Sequence, residues 1–143
     1  MSFNTMSDRV NHPAHYGGAD NPYEAIKVIE HWRLNFCCGN AFKYLSRAGR
    51  KASLTDPRTK FIEDIDKAIW YLERQYTGLQ THNPAAWVTP ITQVSPLYEV
   101  DAVMQGLQLD PRFIDAISAC RWLVDMPRLT FGISSLRSLR NSV

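Results

Sequence analysis

The spacing of apolar residues predicts three helices in the first half of the chain. Apolar side chains recur every three or four positions in three separate stretches there. That period is typical of a helix that lays one face on a core. We predict helices over about 22–33, 35–48 and 58–76, with the second and third packed antiparallel across the linker 50–59.

The residues that flank these stretches are suited to helix ends. Asn21 precedes Pro22, and Asn35 stands just before the second stretch. Asparagine side chains accept hydrogen bonds from the free amides of a first turn, where proline is also tolerated. Gly49 follows the last apolar position of the second stretch, where a left-handed residue commonly ends a helix.

The second half of the chain is less regular. The segment 78–96 carries three prolines and predicts a long, partly extended connection, of which 86–94 could form a strand. Two further helices are predicted at about 96–106 and 110–124, because each begins with a proline behind a capping residue. The tail from Pro127 alternates leucine and arginine only weakly.

Together these elements predict an all-α protein, a small helical bundle with an irregular N-terminal arm and a helical C-terminal extension. A chain of 143 residues and 16.4 kDa has room for one domain and an appendage. We place the helical domain at 1–77, a linker at 78–97 and the extension at 98–143.

The composition of the chain indicates the cellular compartment in which we expect the protein. Hydrophobic residues make up 45% of the chain, charged residues 21%, and no apolar run approaches the roughly 20 residues of a membrane span. The first ten residues lack the apolar core of a secretory signal. Three cysteines, two of them adjacent, argue against a disulfide framework. We therefore expect a cytoplasmic protein without a membrane partner.

Charge is distributed unevenly along the chain. The net charge of +2 is too small to indicate a nucleic-acid-binding protein. Six basic residues face a single acid between Lys43 and Lys60, however. The glycine-rich phosphate loops and the nucleophile elbow of hydrolases are absent. Any phosphate must therefore be bound by side chains and helix ends.

The second predicted helix offers such side chains. Asn40, Lys43, Arg47 and Arg50 are three, four and three positions apart and so share one helical face, which Lys51 extends. Arg47 could bind a phosphate with two hydrogen bonds, Lys43 could add a point charge, and Asn40 could contact a base or sugar. The alternative is a solvated basic face with ion pairs to the third helix.

The third predicted helix offers acids. Asp64, Lys67 and Tyr71 share a face, and Asp64 could pair with a cation of the second helix or act as a general base. Glu63 and Asp66 form an E-x-x-D motif of the kind that helps hold magnesium in helical nucleotide pyrophosphohydrolases. The E-x-x-E that accompanies it in those enzymes is missing.

The N-terminal arm adds His12, His15 and Tyr16. His15 can contact a phosphate or transfer a proton near neutral pH, and Tyr16 can stack on a base. We expect this pair to fold over the basic face, or else to tie down the arm. Two histidines with one of the adjacent cysteines form a weaker zinc alternative, and no metal ligands are assigned.

The order of these residues resembles a small phage-encoded domain family of formerly unknown function, related to the deoxynucleoside monophosphate kinase of short-tailed coliphages. The likeness covers about residues 10–76. It rests on His15-Tyr16, on Cys37-x-Gly39-Asn40-x-x-Lys43-Tyr44-x-x-Arg47-Ala48-Gly49-x-Lys51, and on Asp64-x-x-Lys67-Ala68-x-x-Tyr71.

The resemblance implies a helical phage protein, present in an infected or lysogenic bacterial host, with a nucleotide as ligand. The catalytic candidates are Lys43, Arg47 and Asp64. The candidates for ligand binding are His15, Tyr16, Asn40, Tyr44, Arg50, Lys51 and Lys67.

Three functions compete. The first is a nucleoside monophosphate kinase without a Walker motif, in which the cations neutralise the migrating phosphate. The second is a non-catalytic protein that sequesters a nucleotide or nucleotide signal, and the third is a nucleotide pyrophosphohydrolase. No cofactor is firmly implied, although ATP or another nucleotide could donate the phosphate, with Mg²⁺. We also expect a homo-oligomer, because so small a helical unit buries little surface.

Overall fold

The computed structural model describes residues 10–50 and 56–143, which contain six α-helices and no strand. The predicted all-α fold is therefore confirmed for these residues. The helices are α1 (Ala25–Trp32), α2 (Phe36–Arg47), α3 (Pro57–Gln80), α4 (Val100–Gly106), α5 (Ile114–Arg121) and α6 (Met126–Ser142). Short 3-10 turns lie at Ala14–Tyr16, Pro96–Tyr98 and Pro111–Phe113.

Helices α2 and α3 form an antiparallel pair, as predicted. The amide of Asn35, before α2, donates to Gln75 in the second half of α3 at 2.7 Å. At the other end of α2, Arg47 donates to Asp64 in the first half of α3 at 3.1 Å. The two helices bury apolar side chains such as Phe42 against one core, which stabilises the pair chiefly through area removed from water.

The C-terminal helices complete this core. Helix α6 packs along α3, and α5 contacts both α2 and α6. Ion pairs from Arg140 to Asp66 at 3.0 Å and from Arg137 to Glu73 at 2.8 Å join α6 to α3 at the surface. The core is continuous from α1 to α6, and the proposed division into domain, linker and extension stays a prediction.

Helix α1 begins three residues later than predicted. The Asn21 side chain accepts from the backbone amide of Tyr23 at 2.8 Å, which closes a turn instead of capping a helix. The predicted caps of α2 are correct: Asn35 accepts from the amide of Cys38 at 3.0 Å, and Gly49 has φ of 77° just beyond the helix.

The two proline-led segments of the C-terminal half are shorter helices than predicted. Each begins as a 3-10 turn, and Glu99 is extended between the first turn and α4. Helix α5 ends at Arg121 instead of 124. The weakly alternating tail is a regular helix, α6, whose first turn is capped by Asp125 and whose Leu129, Ile133, Leu136 and Leu139 are buried.

No strand forms within 86–94, and α3 continues to Gln80 instead of ending at 76. Gln75 is the residue that fixes the segment that follows α3. Its buried amide nitrogen donates to the carbonyls of Ala86 at 3.0 Å and Leu123 at 2.8 Å. One side chain therefore joins α3, the irregular segment and the residues just after α5, because buried carbonyls need a donor.

The arm lies across α1, α2 and α4. The Asn21 amide donates to the Gly106 carbonyl at 3.2 Å, and the ring of Tyr23 lies where a Cβ on Gly106 would fall, 2.0 Å from it. Glycine at 106 thus permits the arm to approach α4. None of the described helices has the length and apolarity to cross a membrane.

Candidate functional site

Three cations surround the ring of Tyr44. Lys43 and Arg47 reach it from α2, with Lys43 Nζ and Arg47 Cζ 4.9 Å and 4.5 Å from the ring centroid. Lys67 reaches it from α3 at 5.2 Å. Contacts of this kind contribute about 0.5–1 kcal/mol each where water has access. We call Lys43, Tyr44, Arg47 and Lys67 the basic cluster.

Arg47 is buried, contrary to the exposed position that its helical spacing suggested. Its side chain is 7% exposed and its Nε donates to Oδ1 of Asp64, which is fully buried. Its Nη1 donates to the hydroxyl of Tyr16 at 3.1 Å. The arm therefore folds onto the basic face as expected, and it encloses Arg47 with its carboxylate partner.

The surroundings of Arg47 favour its charged form. Burial lowers the pKa of the guanidinium, but the hydrogen bond to Tyr16 and the charge of Asp64 outweigh it and raise the pKa above its ordinary value. Arg47 is therefore a fixed positive charge around neutral pH.

Asp64 is placed to hold cations and not to contact a ligand directly. Besides Arg47, Nζ of Lys60 lies 3.7 Å from its Oδ1. Its Oδ2 is buried without a hydrogen-bond partner among the described residues. A carboxylate buried in this way positions its partner, so the geometry favours orientation of Arg47 over the general-base role.

The basic cluster has more positive than negative charge. Within the described part of the chain, neither Lys43 nor Lys67 has a carboxylate within 4 Å. Asp64 is the one carboxylate there that pairs with a member of the cluster. Two ammonium groups with their charge uncompensated on one surface attract an anion.

The other predicted ligand-binding residues have different neighbours. The Asn40 amide donates to the carbonyl of Phe36 in its own helix at 2.8 Å. Arg50 donates to the carbonyls of Leu107 and Gln108, so it fastens α2 to the C-terminal half. The His15 ring lies 4.2 Å from that of Tyr16. Lys51 lies outside the described residues.

Aromatic rings extend the surface beside the basic cluster. Tyr71 stacks on Tyr44 with ring centroids 5.9 Å apart. Phe36 and Trp70 make edge contacts with Tyr71, with centroids 5.9 Å and 5.0 Å from that of Tyr71. Phe36 and Trp70 are 74% and 59% exposed. Sequence reasoning identified Tyr71 but missed the other two, because one apolar residue on a helix gives no sign of exposure.

A pocket of about 260 Å³ adjoins the basic cluster, between the arm and helices α1 and α2. Tyr16 and Lys43 line it together with Glu24, and the remaining walls are mainly apolar. Glu24 is 1% exposed, and its Oε2 lies 2.9 Å from Nδ1 of His12. Sequence reasoning missed Glu24 because nothing in its neighbours along the chain indicates burial.

No group of three or more potential metal ligands comes together in the part of the chain that the structure describes. The carboxylates of the E-x-x-D motif contact cations: Lys60 lies 3.5 Å from Glu63, and Arg140 lies 3.0 Å from Asp66. His12 contacts Glu24, and Cys38 is buried. These contacts weaken both metal-binding alternatives.

The three thiols are expected to react slowly. Burial raises the pKa of Cys120 to about 12 and raises those of Cys38 and Cys37 above the ordinary value, with Arg74 partly offsetting the shift at Cys37. Iodoacetamide at pH 8 should label Cys37 first, and Cys38 and Cys120 only in denaturant. Mass spectrometry of the labelled peptides checks this order, and rapid labelling of Cys38 would contradict it.

Comparisons with known proteins leave the chemistry open. Neither a curated protein nor a solved structure matches the chain. One family matches, over a region that includes the four residues of the basic cluster, Asp64 and the pocket beside them. Residues 10–73 of this chain match a family that is described as a protein of unknown function (DUF3310).

Proposed function

We propose that the protein binds the phosphate of a nucleotide at the basic cluster. The observation that carries the proposal is the gathering of three cations around Tyr44 with one paired carboxylate among them. Like charges so close to one another repel unless an anion lies between them. A phosphate group supplies that anion and accepts hydrogen bonds from both lysines.

The cluster is also partly preorganised. Asp64 and Tyr16 fix the Arg47 guanidinium before any ligand arrives. Fixed charge costs little to reorganise when a phosphate binds, and it stabilises charge that develops during a reaction. Lys43 and Lys67 are the members without a carboxylate partner among the described residues, and they would contact the anion from two helices.

The activity that we assign to this arrangement is that of a nucleoside monophosphate kinase without a Walker motif. Phosphoryl transfer asks a protein mainly for positioning and for positive charge around the transferred group. Lys43 and Lys67 supply that charge, and Asp64 holds Arg47 in place behind them. The donor would be ATP or another nucleotide, with the Mg²⁺ that accompanies it.

A second function, sequestration of a nucleotide without turnover, is favoured by one observation. Asp64, the carboxylate that pairs with Arg47, is fully buried. Sequestration needs the same cations but no carboxylate in contact with the ligand, and a buried Asp64 fits that requirement. A pyrophosphohydrolase is the weakest candidate, since Glu63 and Asp66 already contact cations.

Removal of both lysines of the basic cluster tests phosphate binding. The double variant Lys43→Ala/Lys67→Ala should bind deoxynucleoside monophosphates at least about tenfold more weakly, because each charge-assisted hydrogen bond contributes about 1.5–3 kcal/mol. Calorimetric titration measures the affinity. The control Arg112→Ala/Arg128→Ala removes the same charge from the C-terminal half and should bind normally. Equal affinities in both double variants would refute the proposal.

Turnover then separates the two functions. The wild-type protein is incubated with each deoxynucleoside monophosphate, γ-labelled ATP and Mg²⁺, and labelled diphosphate is sought by chromatography. Label that appears with Mg²⁺ and disappears with chelator supports the kinase. Tight binding without transfer, whatever the metal, supports sequestration.

A further inference from the structure

Two residues connect the pocket with the basic cluster. Lys43 belongs to the cluster and lines the pocket, and Tyr16 lines the pocket while it accepts a hydrogen bond from Arg47. A ligand whose phosphate lies at the cluster therefore has this pocket within reach of its other end.

Glu24 lines the pocket, and one oxygen of its carboxylate accepts no hydrogen bond from the described residues. Oε1 of Glu24 has no hydrogen-bond partner among the described residues, although Nζ of Lys27 lies 3.5 Å away. Lys27 donates instead to the carbonyls of Ala19 at 2.6 Å and Asn21 at 3.1 Å. A buried carboxylate oxygen without a donor is costly, and a ligand donor would remove that cost.

We propose that this pocket receives the base of the nucleotide and that Glu24 accepts a hydrogen bond from an N–H group on the edge of the base. The proposal rests on the phosphate site at the basic cluster. It makes Glu24 the residue that recognises the base, while Lys43 lies between base and phosphate.

Size and chemistry both favour a base over the other parts of a nucleotide. Pockets for drug-sized ligands run from about 300 to 1,000 Å³, so about 260 Å³ suits a single heterocycle. The apolar walls, which include Ala25, Ile26 and Ile29, can pack against its faces. A phosphate would be repelled by the carboxylate of Glu24, whereas a neutral N–H group is attracted.

Two variants test the pocket from different sides. Glu24→Gln keeps the shape of the side chain but removes its charge, and it should weaken nucleoside monophosphate binding about tenfold. Ile26→Trp fills the pocket from its half-exposed wall and should weaken binding with little change in melting temperature. Ile114→Trp, at an exposed isoleucine of α5, is the matched control and should bind normally.

Deoxyribose 5-phosphate, which has no base, distinguishes the proposed base pocket from the proposed phosphate site at the basic cluster. Both pocket variants should bind it as the wild type does, whereas Lys43→Ala/Lys67→Ala should lose it. Wild-type protein that binds the sugar phosphate and the nucleotide equally would overturn the base pocket and leave the phosphate site standing.

A different result would move the base elsewhere. If Trp70→Ala weakens nucleotide binding while both pocket variants bind normally, the base stacks on the exposed aromatic rings and the pocket proposal is wrong. Failure of the wild type to bind either ligand would overturn both proposals together.

Discussion

Replacement of Arg47 by alanine is expected to lower the free energy of unfolding by about 3–5 kcal/mol. The change leaves the carboxylate of Asp64 fully buried beside a space that the guanidinium filled. Of its ion-pair partners among the described residues, Asp64 would keep only Lys60, whose Nζ lies 3.7 Å from its Oδ1. A buried charge that has lost its closest partner is expensive, whereas an exposed ion pair would contribute only about 0–1 kcal/mol. Urea denaturation followed by circular dichroism measures the difference.

Two companion variants identify the cause. Arg47→Met/Asp64→Leu removes both charges at similar volume and should recover most of the lost stability. Arg47→Lys keeps the charge but loses the planar fork that reaches both Asp64 and Tyr16, so an intermediate loss is expected. A cost below about 1 kcal/mol for Arg47→Ala would show that the pair is solvated in solution.

Gln75→Glu should be the second severe substitution. The Gln75 amide nitrogen donates to two buried carbonyls, and in the variant a carboxylate oxygen would face them instead. The variant loses two hydrogen bonds and leaves both carbonyls without a donor, at about 1–3 kcal/mol each. We expect a loss of about 2–5 kcal/mol at pH 7.

The pH dependence of Gln75→Glu follows from the same contacts. Burial and the two carbonyls disfavour the charged carboxylate, so its pKa in the folded protein should lie above the unfolded value of about 4.3. The folded state then binds more protons, and the stability of the variant falls as pH rises from about 4 through that raised pKa. Gln80→Glu, at the exposed end of α3, is the control and should show no such fall.

Local signals allowed the best sequence predictions. Asn35 and Gly49 stand at the two ends of α2, and their roles depend only on their immediate neighbours. A few residues of sequence were therefore enough to predict them. Asn21 has the same chemistry, but its side chain closes a turn at Tyr23 and the helix starts later. From the sequence alone, an asparagine that caps a helix cannot be distinguished from one that closes a turn before it.

In the C-terminal half, the helical spacing of apolar residues in α6 was obscured by the residues between them. In α6, Leu129, Ile133, Leu136 and Leu139 are spaced four, three and three positions apart, which is a helical stripe. The arginines between them suggested alternation, and the contacts of α6 with both α3 and α5 show that this stripe is buried.

In the candidate site, spacing predicted neighbours better than it predicted burial. The face shared by Lys43 and Arg47, and a possible pair with Asp64, followed from helical geometry. The enclosure of Arg47 depends on Tyr16, which lies 31 positions away. The role of Arg50 depends on the carbonyls of Leu107 and Gln108, just after α4. Contacts between such distant positions leave no periodic trace in one sequence.

The ion pairs from α6 to Asp66 and Glu73 have a consequence for the matched region taken by itself. The matched region 10–73 contains that side of α3 but none of the helix that covers it. A fragment of this chain that ends at residue 73 would therefore expose the side of α3 that α6 covers, and it would lose the partners of Asp66 and Glu73.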